Sequence, residues 1–134
     1  MEDVLDQLRE ENQQVAFPLE LPTDEQLVEA QEEILIHIPR EMKEFMLLTG
    51  DIICGSIEPV TVADPHSHTF LPEVAANAWA EGVPREYVPV CAQGGDYYVI
   101  SEEGVVYLWR AEDESMDDEY PSIWHWARDV WLES

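Results

Sequence analysis

The side chains in this chain whose types and spacing suit chemistry are few. Asp64-Pro65-His66-Ser67-His68 sets two imidazoles at i, i+2 beside a carboxylate, a spacing from which one extended loop can offer ligands to zinc. A metal needs a third or fourth ligand, and the two cysteines, Cys54 and Cys91, lie in or beside apolar runs where they read as reduced, packed thiols. The loop therefore reads as a hydrogen-bonded turn. A small metal-dependent hydrolase using His66 and His68 is the enzymatic alternative. His37 and His125 fall inside helical patterns and carry no role. Gly94-Gly95-Asp96 has the look of a phosphate loop, but it joins two strand-like runs and no Lys or Arg follows closely, whereas phosphate cradles use a strand-to-helix turn with a basic residue. A tight turn is expected instead, with Asp96 accepting backbone N–H bonds. No Ser, His and Asp set carries a nucleophile-elbow signature. The residues indicate no catalytic group and no cofactor.

The remaining chemistry is charge. Thirty Asp and Glu against six Lys and Arg give a net charge of -24. A field of that sign repels phosphate backbones and anionic lipid surfaces, so direct nucleic-acid and membrane binding are disfavoured and basic protein surfaces are favoured. The competing reading is that the acidity serves solubility alone. Residues 111 to 120, AEDESMDDEY, concentrate it: Glu112, Asp113, Glu114, Asp117, Asp118 and Glu119 are acidic and no residue there is basic. This stretch reads as a solvated loop and is the candidate contact for a basic partner.

The elements that must position these residues follow from the apolar pattern. Tyr87 to Trp109, YVPVCAQGGDYYVISEEGVVYLW, contains three β-branched and aromatic runs separated by the turn signals at residues 92–95 and 101–104, an antiparallel meander. Its second and third runs are apolar at nearly every position, so both faces of the sheet are expected to meet protein. Residues 2–13 read as an amphipathic helix. VAFPLELP, with Pro18 and Pro22, reads as an extended connector laying Val15, Phe17, Leu19 and Leu21 against something apolar. Thr23 and Gln26 form a capping-box pair ahead of a helix that presents Leu27, Ala30 and Ile34. A third helix starts near Pro39, turns Met42, Phe45, Met46 and Leu48 inward and closes at Gly50. Residues 51–62 read as one or two short strands with a bend, residues 71–81 as a helix, and the segment from Pro121 as a closing helix with Ile123, Ala127, Val130 and Trp131 on one face. Trp124, Trp126 and Trp131 cannot all point one way, which leaves room for an exposed aromatic anchor.

At 134 residues with 46% hydrophobic content, the chain has the length and the apolar material for one domain spanning residues 1–134. It has no run of eighteen apolar residues, and its start, MEDVLDQLREE, lacks the basic and apolar regions of a signal peptide, so a cytoplasmic location is expected.

Two stretches carry a family resemblance. IPREMKEFMLLTGDI, residues 38–52, is similar to the SUKH superfamily pattern of an apolar-Pro start, a helix with an aromatic-apolar pair and a terminal Gly, with Phe45 and Gly50 in those places. YVPVCAQGGDYYVISEEGVVYLW resembles the same family's strand, Gly-Asp turn, strand, turn and aromatic-ending strand, with Gly95, Asp96, Gly104 and Trp109 in those places. The superfamily contains the fungal Smi and Knr cell-wall regulators and many bacterial immunity proteins. The resemblance implies an α+β single domain whose central, mostly antiparallel sheet is covered by N-terminal, middle and C-terminal helices. It also implies binding rather than catalysis, the protein partner being a basic, nuclease-like toxin domain. A scaffolding or regulatory module without a toxin is the alternative, and the oligomeric state expected is a monomer or weak homodimer.

Overall fold

The computed structural model describes residues 2–16 and 18–134. Four helices, α1 (Glu2–Glu10), α2 (Asp24–Ile34), α3 (Arg40–Thr49) and α4 (Leu71–Glu81), precede four strands, β1 (Val88–Gln93), β2 (Asp96–Ile100), β3 (Val106–Arg110) and β4 (Ser115–Tyr120). A short helix α5 (Ile123–Trp126) then runs directly into a π-helical turn (Ala127–Trp131). The strands form one antiparallel meander in the order β1-β2-β3-β4, giving the expected α+β architecture.

Register places Tyr98, Ile100, Val106 and Leu108 on one face of the sheet, and Tyr97, Val99, Tyr107 and Trp109 on the other. Both faces meet protein, as the unbroken apolar runs require. On the first, the Tyr98 ring lies 5.7 Å from Trp126 of α5. On the second, the Tyr97 hydroxyl donates to Glu81 at the end of α4, and Gly82 sits against the Trp109 ring. The helices form two stacks: α4 packs on β1 and carries α2, while α5 packs on β4 and against α3, which carries α1.

Local chemistry sets the helix ends. The Thr23 hydroxyl accepts from the Gln26 amide at 3.1 Å while the Gln26 side chain accepts from the Thr23 amide at 2.9 Å, so the predicted capping box is complete. Gly50 closes α3 for a steric reason: a Cβ there would lie 2.5 Å from Cδ of the buried Pro22. Phe45, almost fully buried, meets the rings of Trp124, Trp131 and Trp126 at 5.1, 5.8 and 6.3 Å, all edge-on. Trp126 and Trp131 are buried and Trp124 is half-buried, so the terminal segment offers no fully exposed aromatic anchor. The π turn, with the Leu132 amide bonded to Ala127 O five residues back, lets consecutive indoles enter the same core.

Five expectations are corrected. Leu48, expected to turn inward on α3, is exposed, because the buried face of that helix is Met42, Phe45, Met46 and Thr49. The first helix ends at Glu10, not near residue 13. Residues 51–62 form no named strand; they make only the isolated bridges Cys54–Ile57 and Thr61–Phe70, because Gly55 at φ 59° turns the chain and Pro59 lacks a donor. Val15, Leu19 and Leu21 are exposed along the connector, while Phe17 lies outside the described residues. Residues 111–120 are not a solvated loop: 111–114 turn, with Glu114 at φ 54°, and 115–120 are the edge strand β4.

Candidate protein-interaction surfaces

The acidic stretch is held by a hairpin. Met116 pairs with Trp109 and Tyr120 with Val106, and these half-buried side chains tie β4 to the sheet while its acidic residues face water. Asp117 stands opposite Leu108 and Glu119 opposite Tyr107, so the carboxylates wrap both faces of the edge. Between them Asp118 is the extra residue of a bulge, at φ 44°. A bulged, charged edge disfavours pairing with another strand.

Three of the carboxylates hold the hairpin together. Asp117 pairs with Arg110 at 2.7 Å, and this hydrogen bond raises the guanidinium's pKa above its ordinary value. Asp113 accepts from the Ser115 hydroxyl at 2.7 Å, and that bond holds its carboxyl below the usual carboxylate range. Asp96 accepts from the Ala111 amide at 3.0 Å. It does take a backbone N–H, as expected of a turn aspartate, but from the neighbouring turn, because the β1–β2 and β3–β4 turns lie at the same end of the sheet. Glu114 folds back against Gly82, and Glu112, Asp118 and Glu119 are exposed. The structure thus gathers Asp96, Glu112, Asp113, Glu114, Asp117, Asp118 and Glu119 on one end and edge of the sheet, with Arg110 among them.

The other singled-out residues lie apart from this surface or beneath it. Phe45 is core and Gly50 is a close-packing position. Gly95 and Gly104 occupy turns at φ 97° and 91°, conformations that strain an L side chain. Trp109 is buried, its ring 6.1 Å from that of Tyr97. His68 Nε2 lies 2.6 Å from Glu58 Oε2, and the His66 amide donates to Asp64 Oδ1 at 2.9 Å, so the loop is internally bonded as expected. Among the described residues no three His, Cys, Asp or Glu side chains converge to hold a metal. Both cysteines are buried free thiols.

A second surface escaped sequence reasoning. The connector around Pro18–Glu20 and the irregular segment 52–69 enclose a cleft of about 600 Å³. Its apolar floor includes Ile52, Ile57 and Trp131, and Glu20, Glu58, Asp64 and His68 line it with charge or potential charge. The available signal was the connector's alternating apolar residues around two prolines: Val15, Leu19 and Leu21 looked like inward anchors and are instead exposed, with Leu19 lining the cleft.

Comparison with known proteins matches residues 1–132 to the family SUKH_5, described as SMI1-KNR4 cell-wall. The chain belongs to the SUKH_5, SMI1-KNR4 family. The match extends the resemblance from the two stretches at 38–52 and 87–109 to nearly every residue. This SUKH_5 chain is also similar to a solved structure, the crystal structure of a protein from Pseudomonas syringae pv. tomato, at 55% identity over 100% of both chains with a TM-score of 0.95. No curated protein matches. Among the described residues, no helix of this SUKH_5 chain is long and apolar enough to cross a membrane.

Proposed function

We propose that this SUKH_5 protein is a non-enzymatic binding protein of the bacterial immunity type, which neutralises a basic, nuclease-like toxin domain in the cytoplasm. The observation that carries the reading is the hairpin: on a chain of net charge -24, Glu112, Asp118 and Glu119 stand exposed on an end and edge of the sheet that also gathers Asp96, Asp113, Glu114 and Asp117. To a basic protein such an edge resembles a run of phosphates. Opposite charge speeds encounter and suppresses wrong partners more than it adds affinity, so the expected signature is fast, salt-sensitive association.

The hairpin's geometry dictates how to test its part. Asp113 and Asp117 hold the turn, so the informative variant changes Glu112→Gln, Glu114→Gln, Asp118→Asn and Glu119→Gln and leaves those two in place. With the toxin domain captured from cells that make the protein, stopped-flow association at low salt should slow roughly tenfold in this variant and its salt dependence should flatten. An unchanged association rate removes the hairpin from the contact.

A further inference from the structure

The connector crosses the molecule as a strap with a cavity on either side. Its start is pinned by reciprocal bonds, the Gln13 amide to Ile53 O at 2.7 Å and the Ile53 amide to the Asn12 side chain at 2.8 Å. Its end is pinned by Pro22 against Gly50. Between these points Pro18 and Leu19 wall both the 600 Å³ cleft and a smaller cavity of about 270 Å³, and Ile53 lies beneath both. The floor is rigid: the Trp131 indole, which borders the larger cleft, donates to Cys54 O at 3.0 Å. Among the described residues, three of the six large hydrophobic side chains that stand exposed, Val15, Leu19 and Leu21, belong to this one strap. Leu19, with Pro18 beside it, carries this exposed apolar surface to the walls of both cavities. Carboxylates dominate the charge around it: Glu20, Glu58 and Asp64 line the larger cavity together with His68, whose ring lies 2.6 Å from Glu58; Asp51, paired with Arg9, lines the smaller; and no Lys or Arg is among the described lining residues.

We propose that this cleft seats an extended segment of the protein partner in which apolar side chains are flanked by Lys or Arg. The volume lies within the ~300–1,000 Å³ typical of preformed binding sites, and a partly apolar floor with a few polar groups is the usual lining of such sites. An apolar side chain buried at the centre supplies anchoring energy, and the acidic rim selects its cationic neighbours. The two cavities share Pro18, Leu19 and Ile53 as lining residues, so a chain segment can use both where a single small amphiphile uses one. The proposal rests on the reading of the protein as a binder of a basic partner; it adds the seat where that partner is anchored, remote in sequence from the acidic hairpin.

The test uses amide NMR spectra of the ¹⁵N-labelled full chain with three probes: acetyl-Lys-Leu-Leu-Arg-amide, acetyl-Glu-Leu-Leu-Glu-amide and leucinamide. Saturable shifts at Ile53, Ser56, Thr61 and Thr69 with the basic peptide alone are the expected result. Ser56→Trp, which places an indole at the cleft's exposed wall, should weaken binding at least tenfold, and the double reversal Glu20→Lys with Glu58→Lys at least fivefold. The hairpin variant described above should bind the peptide as the parent does. The proposal is overturned if those amides stay still, if shifts fall only on residues 111–119, if the acidic peptide moves the same amides, or if leucinamide binds as tightly as the peptide. A still cleft beside salt-sensitive capture of a basic toxin removes the seat and keeps the proposed function; peptide binding in the cleft without any such toxin does the reverse.

Discussion

Asp96 gives the sharpest test of how the acidic end is built. Its carboxylate accepts one hydrogen bond, from the Ala111 amide at 3.0 Å, and that bond links the β1–β2 turn to the β3–β4 turn. A hydrogen bond to an ionised acceptor contributes about 1.5–3 kcal/mol. Asp96 is half-buried and Ala111 exposed, so water competes at both partners, and a value below that range, about 1 kcal/mol, is the expected loss in Asp96→Ala. With an unfolding entropy near 2.1 cal/mol/K per residue, a domain of this length loses about 3 to 4 °C in Tm per kcal/mol. Asp96→Asn keeps an acceptor at the same place and loses only the charge. Asp96 helps hold the Arg110 guanidinium in its charged form but also stands among like charges, so the Asn variant should remain within about 0.5 kcal/mol of the parent. Calorimetric unfolding of both variants in 0.05 and 0.5 M NaCl separates the two contributions. Equal Tm values for the Ala and Asn variants would refute the assignment of Asp96 as a turn-to-turn clasp.

Two further outcomes follow from the core. Phe45→Ala removes the ring that three indoles meet edge-on and should cost about 3–5 kcal/mol, with loss of the near-ultraviolet tryptophan circular dichroism; a loss under 1 kcal/mol contradicts the packing described. At alkaline pH, burial pushes the Cys91 thiol up to about 12 from 9.0, and burial first, then the hydrogen bond and charge of Glu81, pushes the Tyr97 hydroxyl up to about 12 from 10.0. The folded state therefore keeps protons that the unfolded chain releases, so stability from these groups is intact below pH 9.0 and falls as pH rises towards about 12. Urea midpoints at pH 8, 10 and 11 should decline in that order, and a midpoint that rises with pH contradicts the burial of these groups.

Much of the fold was legible because local signals agreed with the global arrangement. The capping box at Thr23 and Gln26, the meander from Val88 to Arg110 and the amphipathic face of the terminal segment each fell where pattern and turn chemistry placed them. β4 was not legible, for a physical reason. Its pairing comes from backbone groups and from Met116 and Tyr120, while the acidic residues that dominate SMDDEY face water at a sheet edge, where composition resembles that of a loop. The cleft was hidden for another reason. Alternation in the connector showed that its apolar side chains share a side, but a two-residue period carries no sign, and Val15, Leu19 and Leu21 face out rather than in. In the acidic set, sequence found the residues and the structure sorted them: Asp96, Asp113 and Asp117 are committed to the hairpin's own bonds, while Glu112, Asp118 and Glu119 are exposed on it.

The central claim, that an acidic SUKH_5 protein binds and silences a basic toxin domain, is tested most directly by affinity capture with the full chain from its own cells, eluted by rising salt and assayed for nuclease activity. The account predicts a basic protein in near-equal amount, released by salt, whose nuclease activity disappears when the captured pair is re-formed at equal stoichiometry. Recovery of a signalling or envelope-synthesis assembly instead, or of a basic protein whose activity is unaffected by re-forming the pair, contradicts it.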